Sequence, residues 1–165
     1  MKKTKFLTLS LIMLACTAGV FAQATATATA VILTPLSISK TLDMDFGDIV
    51  AGGGGDVVLN PQTTSRSTTG PGVFGTFTLA AFSVTGNSAS TVTIGLPATH
   101  TITRESGTET MTVSNFTSFP SGTLTLSDPA GTGTFNVGAT LGVGASQVPG
   151  TYENAAGFTV TVNYQ

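Results

Sequence analysis

Apolar and polar side chains alternate with a period of two along most of this chain, and beyond its amino-terminal end no window sustains a helical period of 3.6. The clearest case is the carboxyl end, Gly157-Phe158-Thr159-Val160-Thr161-Val162-Asn163-Tyr164-Gln165. An extended chain puts Phe158, Val160, Val162 and Tyr164 on one side and Thr159, Thr161 and Asn163 on the other. That pattern predicts a half-buried antiparallel strand, so the final backbone groups are expected to belong to a sheet.

Other windows repeat the pattern. Residues 24–33 set Ala24, Ala26, Ala28, Ala30 and Ile32 on one face and Thr25, Thr27, Thr29, Val31 and Leu33 on the other. Two readings stay open for them: the first strand of the chain's own sandwich, or an extended arm given to a neighbour by strand addition. Leu36, Ile38, Leu42, Met44 and Phe46 continue on a common side, broken only by Lys40. Phe77 and Leu79 then fall on odd positions and Phe82 and Val84 on even ones, which predicts a bulge near Ala80 and Ala81. Residues 101–104 and 110–113 flank Glu105-Ser106-Gly107-Thr108-Glu109 and read as a hairpin. Residues 62–72, rich in Thr, Ser, Gly and Pro, read as an exposed, mobile loop. About eight to ten short strands joined by Gly and Pro turns predict an all-β fold, an antiparallel two-sheet sandwich of immunoglobulin-like shape.

Lys2, Lys3 and Lys5 precede an apolar run that ends in small Ala22 before polar Gln23, the layout of a secretory signal peptide over residues 1–22. Thr8, Ser10 and Thr17 interrupt that run, which falls short of the roughly 18 consecutive apolar residues of a membrane span. The expected product is a single β-sandwich domain, residues 23–165, with residues 23–33 as its arm or first strand and no membrane span. Its expected location is the periplasm, the cell surface or the extracellular space. Cys16 is the only cysteine, and Met13-Leu14-Ala15-Cys16 also admits a lipid-anchored reading. Otherwise the thiol leaves with the leader and the mature chain has no disulfide. Loss of the leader lysines leaves Lys40, Arg66 and Arg104 against eight acids, a net charge of −5. That balance rules out a basic groove for nucleic acid and argues against docking on anionic lipid. It also leaves few charges to guard sheet edges against association.

Reactive constellations are sparse. Asp43, Asp45 and Asp48 form the one acidic cluster and a weak calcium candidate, since calcium wants six to eight oxygens and no dedicated loop surrounds them. A solvated face that discourages edge pairing is the plainer reading. His100 is the only histidine, which leaves zinc without a ligand set. No Gly-x-Ser-x-Gly elbow accompanies it, because Gly144-Ala145-Ser146-Gln147-Val148 lacks the second glycine. The run Gly52-Gly53-Gly54-Gly55 is followed by neither Gly-Lys-Ser/Thr nor a helical pattern, so it is a turn and not a phosphate loop. Arg104, Glu105 and Glu109 read as an exposed ion-pair cluster. The chain has no Trp, so a flat platform for sugars is not evident. No enzyme activity, cofactor or metal is expected.

Several phrases in order resemble a family of exported bacterial domains of unknown function, numbered four-four-zero-two. They include Pro35-Leu36-Ser37-Ile38, Phe46-Gly47-Asp48-Ile49, Val57-Val58-Leu59-Asn60-Pro61, Phe82-Ser83-Val84-Thr85-Gly86, Ile94-Gly95-Leu96-Pro97 and Gly150-Thr151-Tyr152. The terminal stretch from Gly157 to Tyr164 completes the set. The resemblance implies a sandwich fold and export, with no assigned activity. The chain is also distantly similar to fimbrial and spore-coat-type subunits, in which an aromatic stands next to last and an amino-terminal arm completes a neighbour. Tyr164 and residues 24–33 match those two features, whereas the cysteine pair of many such subunits is missing from residues 23–165. The resulting expectation is an exported structural or interaction protein, a surface or pilus-like subunit. It would pair by strand addition with itself or another surface protein, through Ala24, Ala26, Ala28, Ala30 and Ile32 as donor face and Phe158, Val160, Val162 and Tyr164 as acceptor edge. A secreted ligand- or carbohydrate-binding module is the alternative.

Overall fold

The computed structural model describes residues 22–165. Cys16 and all but the last residue of the expected signal peptide lie outside the described residues. The chain divides after Ile32. Residues 22–32 carry no strand and are exposed at every position, Val31 at 85% and Ile32 at 96%. The second unit, Leu33–Gln165, holds the regular structure. Among the described residues there are thirteen strands, all paired antiparallel, and no helix.

Strands β1 (Ser37–Leu42), β2 (Asp48–Val50), β3 (Gly55–Asn60), β4 (Ser65–Thr69) and β5 (Gly72–Phe74) come first. They are followed by β6 (Ala80–Thr85), β7 (Thr91–Gly95), β8 (Thr99–Arg104) and β9 (Thr110–Phe119). β10 (Thr123–Thr125), the long β11 (Thr132–Val143), β12 (Tyr152–Glu153) and β13 (Thr161–Tyr164) complete the chain. The short pieces β2, β5, β10 and β12 raise the number above the eight to ten that the alternation suggests.

The main sheet runs β1-β6-β11-β9-β8-β12. Along one edge β11 pairs with β9, and along the other it pairs first with β6, through residues 132–137, and then with β3, through residues 140–143. Gly138 sits at the change of partner, where any side chain would run into the Leu59 carbonyl of β3. Phe135, Val137, Ala139, Leu141 and Val143 share the inner face of β11 and are all buried. Over that face the second layer comes in two pieces. The sheet β10-β7-β13 covers Phe82, Val84, Phe135 and Val137 with Val92, Ile94, Leu124 and Leu126. The pair β2-β5 lies by Val57, Leu59, Leu141 and Val143, against which Ile49 and Val73 pack. Met44 and Phe116 touch both clusters.

Three local expectations change. The loop at residues 62–72 contains β4, paired with β3 across a turn in which Asn60 Oδ1 accepts the Gln62 N–H at 2.9 Å and the Thr63 N–H at 3.3 Å. Its Thr and Ser side chains tolerate a pleated, half-exposed edge. The parity switch between Leu79 and Ala80 is present, both being buried, but the chain breaks there between an Asp45–Thr78 bridge and β6. The irregular register lies on the partner strand, where Lys40 pairs with Phe82 and Leu42 with Ala81. The extra residue, Thr41, turns Leu42 to the outer face, where it is 56% exposed.

Phe135 is 2% exposed and its ring stacks on Phe82 at 5.3 Å between centroids. Phe135→Ala is expected to lower the free energy of unfolding by about 3–5 kcal/mol in urea denaturation. A loss below about 1 kcal/mol would show that the first cluster is loosely packed.

Candidate functional site

The two pieces of the second layer leave part of the main sheet uncovered, and a groove of about 1620 Å³ lies there. Its floor is built from the inner faces of four strands, with Phe82 on β6, Leu141 on β11, Met111 and Val113 on β9, and His100 and Ile102 on β8. One wall is residues 43–51, which include β2. The other is residues 147–160, just before β13.

Two stretches of backbone line this groove with a free edge. The β13 ladder begins at Thr161, opposite Gly95, so residues 158–160 have no ladder partner among the described residues. Among the described residues β2 pairs with β5 alone, which leaves its other edge open there. Side chains hold the first stretch down. The half-buried Phe158 ring lies 4.9 Å from Phe116, 6.1 Å from His100 and 6.5 Å from Phe82, the last two edge-to-face. Such contacts contribute roughly 0.5–1.5 kcal/mol each beyond area burial. Phe158 and Val160 thus bury one face and leave their backbone unpaired.

Arg66 on β4 holds the other wall. Its Nη1 donates to the carbonyls of Phe46 at 2.7 Å and Phe74 at 3.0 Å, its Nη2 donates to Gly75 at 3.2 Å, and its guanidinium lies 5.3 Å from the Phe77 ring centre. A planar fork of donors suits two chain segments that each offer carbonyls. The segment is secured further by paired Asp45 and Thr78 backbone bonds of 2.9 Å each, and by the Thr78 hydroxyl donating to the Asp43 carbonyl at 2.8 Å.

The expected site residues fall in different places. Phe158 and Val160 line the groove, whereas Val162 and Tyr164 continue into β13 and pack on the first cluster. Ala24, Ala26, Ala28, Ala30 and Ile32 are exposed. Asp43 pairs with Lys40, Asp45 accepts the Gly47 N–H at 2.8 Å, and Asp48 lies on β2. Among the described residues no three His, Cys, Asp or Glu side chains come together to hold a metal ion. In the β8–β9 hairpin Arg104 Nε meets Glu109 Oε2 at 2.6 Å, and Glu105 takes no part in the pair. The Arg104 hydrogen bond holds the Glu109 carboxyl below the usual carboxylate range, and the same bond raises Arg104. What this pair contributes is therefore present above the unfolded glutamate range and is lost as pH falls through the lowered Glu109 value.

Sequence reasoning missed Arg66 and the edge of β2. The available signal was a lone cation in an otherwise uncharged run of Ser and Thr, a pattern that suits a side chain employed in the fold.

An all-β domain of antiparallel sheets, sandwich-like and with an incomplete second layer, is the class these features define. The chain belongs to the family described as Domain of unknown function (DUF4402), whose model matches residues 36–164. No curated protein and no solved structure matches the chain.

Arg66→Met keeps the apolar stem and removes the donors. It is expected to cost about 1.5–3 kcal/mol in urea unfolding, the range for hydrogen bonds made by a charged group. A change under about 0.5 kcal/mol would contradict the clamping role.

Proposed function

We propose that this chain is an exported, non-enzymatic structural protein, a surface or pilus-like subunit that associates with copies of itself by β-strand addition. Residues 24–33 are the donor and the groove is the acceptor. The observation that carries this reading is the pair of open backbone edges, residues 48–50 and 158–160, lining one groove with a mostly apolar floor. An inserted strand gains main-chain hydrogen bonds from such an edge, and its alternate side chains meet the floor.

Magnitudes decide what the donor must supply. Ladder bonds are worth about 0.5–1.5 kcal/mol each after exchange with water. Ordering an arm costs about 1–2 kcal/mol per residue, so the ladder alone is not enough. Val31, Ile32 and Leu33 are exposed. Fully burying each such side chain contributes about 1.5–3 kcal/mol. Residues 24–33 contain no charged side chain, so the donor itself brings no unpaired ion into the groove. Extended, these ten residues reach about 33 Å.

The test compares residues 23–165 with residues 34–165 by light scattering over a concentration series. The longer protein is expected to self-associate and the shorter to stay monomeric, and a peptide of residues 23–33 is expected to bind the shorter one. If both stay monomeric and equally stable and the peptide does not bind, strand addition is wrong and the ligand- or carbohydrate-binding reading takes its place. Peptide binding without self-association would point to another surface protein as the partner.

A further inference from the structure

The side chain next to the carboxyl end makes contacts that its role in packing does not require. Tyr164 Oη donates to the Thr34 carbonyl at 2.6 Å and accepts the Asn87 backbone N–H at 2.6 Å. Asn87 belongs to a turn that is itself held, since the preceding Gly86 N–H donates to the Gly131 carbonyl at 2.8 Å. Room for the phenol exists because position 86 has no side chain. A Cβ there would stand 2.6 Å from Tyr164 Oη and 2.8 Å from Leu36 Cδ1. Both atoms thus converge on the same gap, one from the last strand and one from the chain just before β1.

Thr34 stands immediately before Pro35. A residue before proline is held away from the helical region, in extended backbone, and the proline ring fixes its own φ near −65°. Proline also lacks an N–H, so Pro35 can offer the sheet only its carbonyl. The Thr34 carbonyl is the backbone group at this point of the chain that a distant side chain holds. Holding it fixes the position of residue 34, directly after residues 24–33.

We infer that Tyr164 is a positioning residue for strand donation: its hydroxyl clamps the root of the arm to the Gly86–Asn87 turn. This rests on the strand-addition reading for its purpose, though the clamp itself can be tested without it. A donor that leaves from a fixed, extended root loses less conformational freedom on docking than one whose root swings. The ring of Tyr164 packs on the first cluster with or without the hydroxyl, so the two roles are separable.

Tyr164→Phe in residues 23–165 separates them. Three readings are taken: hydrogen exchange at the Asn87 amide, self-association by light scattering, and binding of the peptide of residues 23–33 to residues 34–165 carrying the same substitution. Faster Asn87 exchange, self-association weakened about three- to tenfold and peptide affinity within twofold of the parent are expected. Unchanged Asn87 exchange would overturn the clamp. Faster exchange with unchanged self-association would overturn its part in donation, as would an equal fall in peptide affinity, which would place the effect in the acceptor. If the parent protein binds no peptide and does not associate, strand addition fails, while the Asn87 reading still decides whether the clamp exists.

Discussion

One row of side chains organises the second unit: Phe135, Val137, Ala139, Leu141 and Val143, all on the inner face of β11 and all buried. Because β6 and β3 follow one another along the same edge of that strand, the main sheet offers two successive apolar surfaces to whatever lies above. Each is covered by a small sheet of its own, one of three strands and one of two. Neither sheet is wide enough to meet the other. The groove lies beside that gap, and among the described residues its free edges are the outer side of β2 and the unpaired residues 158–160.

Side chains and backbone are satisfied differently at this site. Phe158 is held among Phe82, Phe116 and His100, yet the peptide groups beside it have no ladder. On the opposite wall Arg66 supplies charge-assisted bonds to the Phe46 carbonyl before β2 and to the Phe74 and Gly75 carbonyls at the end of β5, and leaves the outer edge of β2 open. An apolar floor with unpaired peptide groups beside it favours an extended chain, because such a chain offers alternating apolar groups and backbone donors and acceptors together.

At the carboxyl end the alternation already told the burial pattern, whereas the equally regular residues 24–33 carry no strand. Phe158, Val160, Val162 and Tyr164 are half-buried and their neighbours exposed, as a period of two requires. The hairpin after residue 101 pairs Ile102 with Met111 as expected. What stayed hidden depended on contacts between distant segments. β4 is almost wholly polar, and what makes it a strand is its register against β3. Leu42 points outward because one residue is inserted in β1 relative to β6, a shift that no local pattern records. The groove was illegible for the same reason, as its width is set by the size of two sheets formed elsewhere in the chain. Tyr164 could be read as an apolar strand residue, but its hydroxyl partners lie 130 and 77 residues away, at Thr34 and Asn87.

The central claim is that the free edges at residues 48–50 and 158–160 are where another chain adds. Amide hydrogen exchange, followed residue by residue in dilute and in associated protein, addresses it directly. The account predicts that protection rises on association in those two stretches, with at most small changes at the outer edges of β1, β4 and β10. Association that leaves residues 48–50 and 158–160 exchanging as in the monomer, with new protection at one of those other edges, would contradict it.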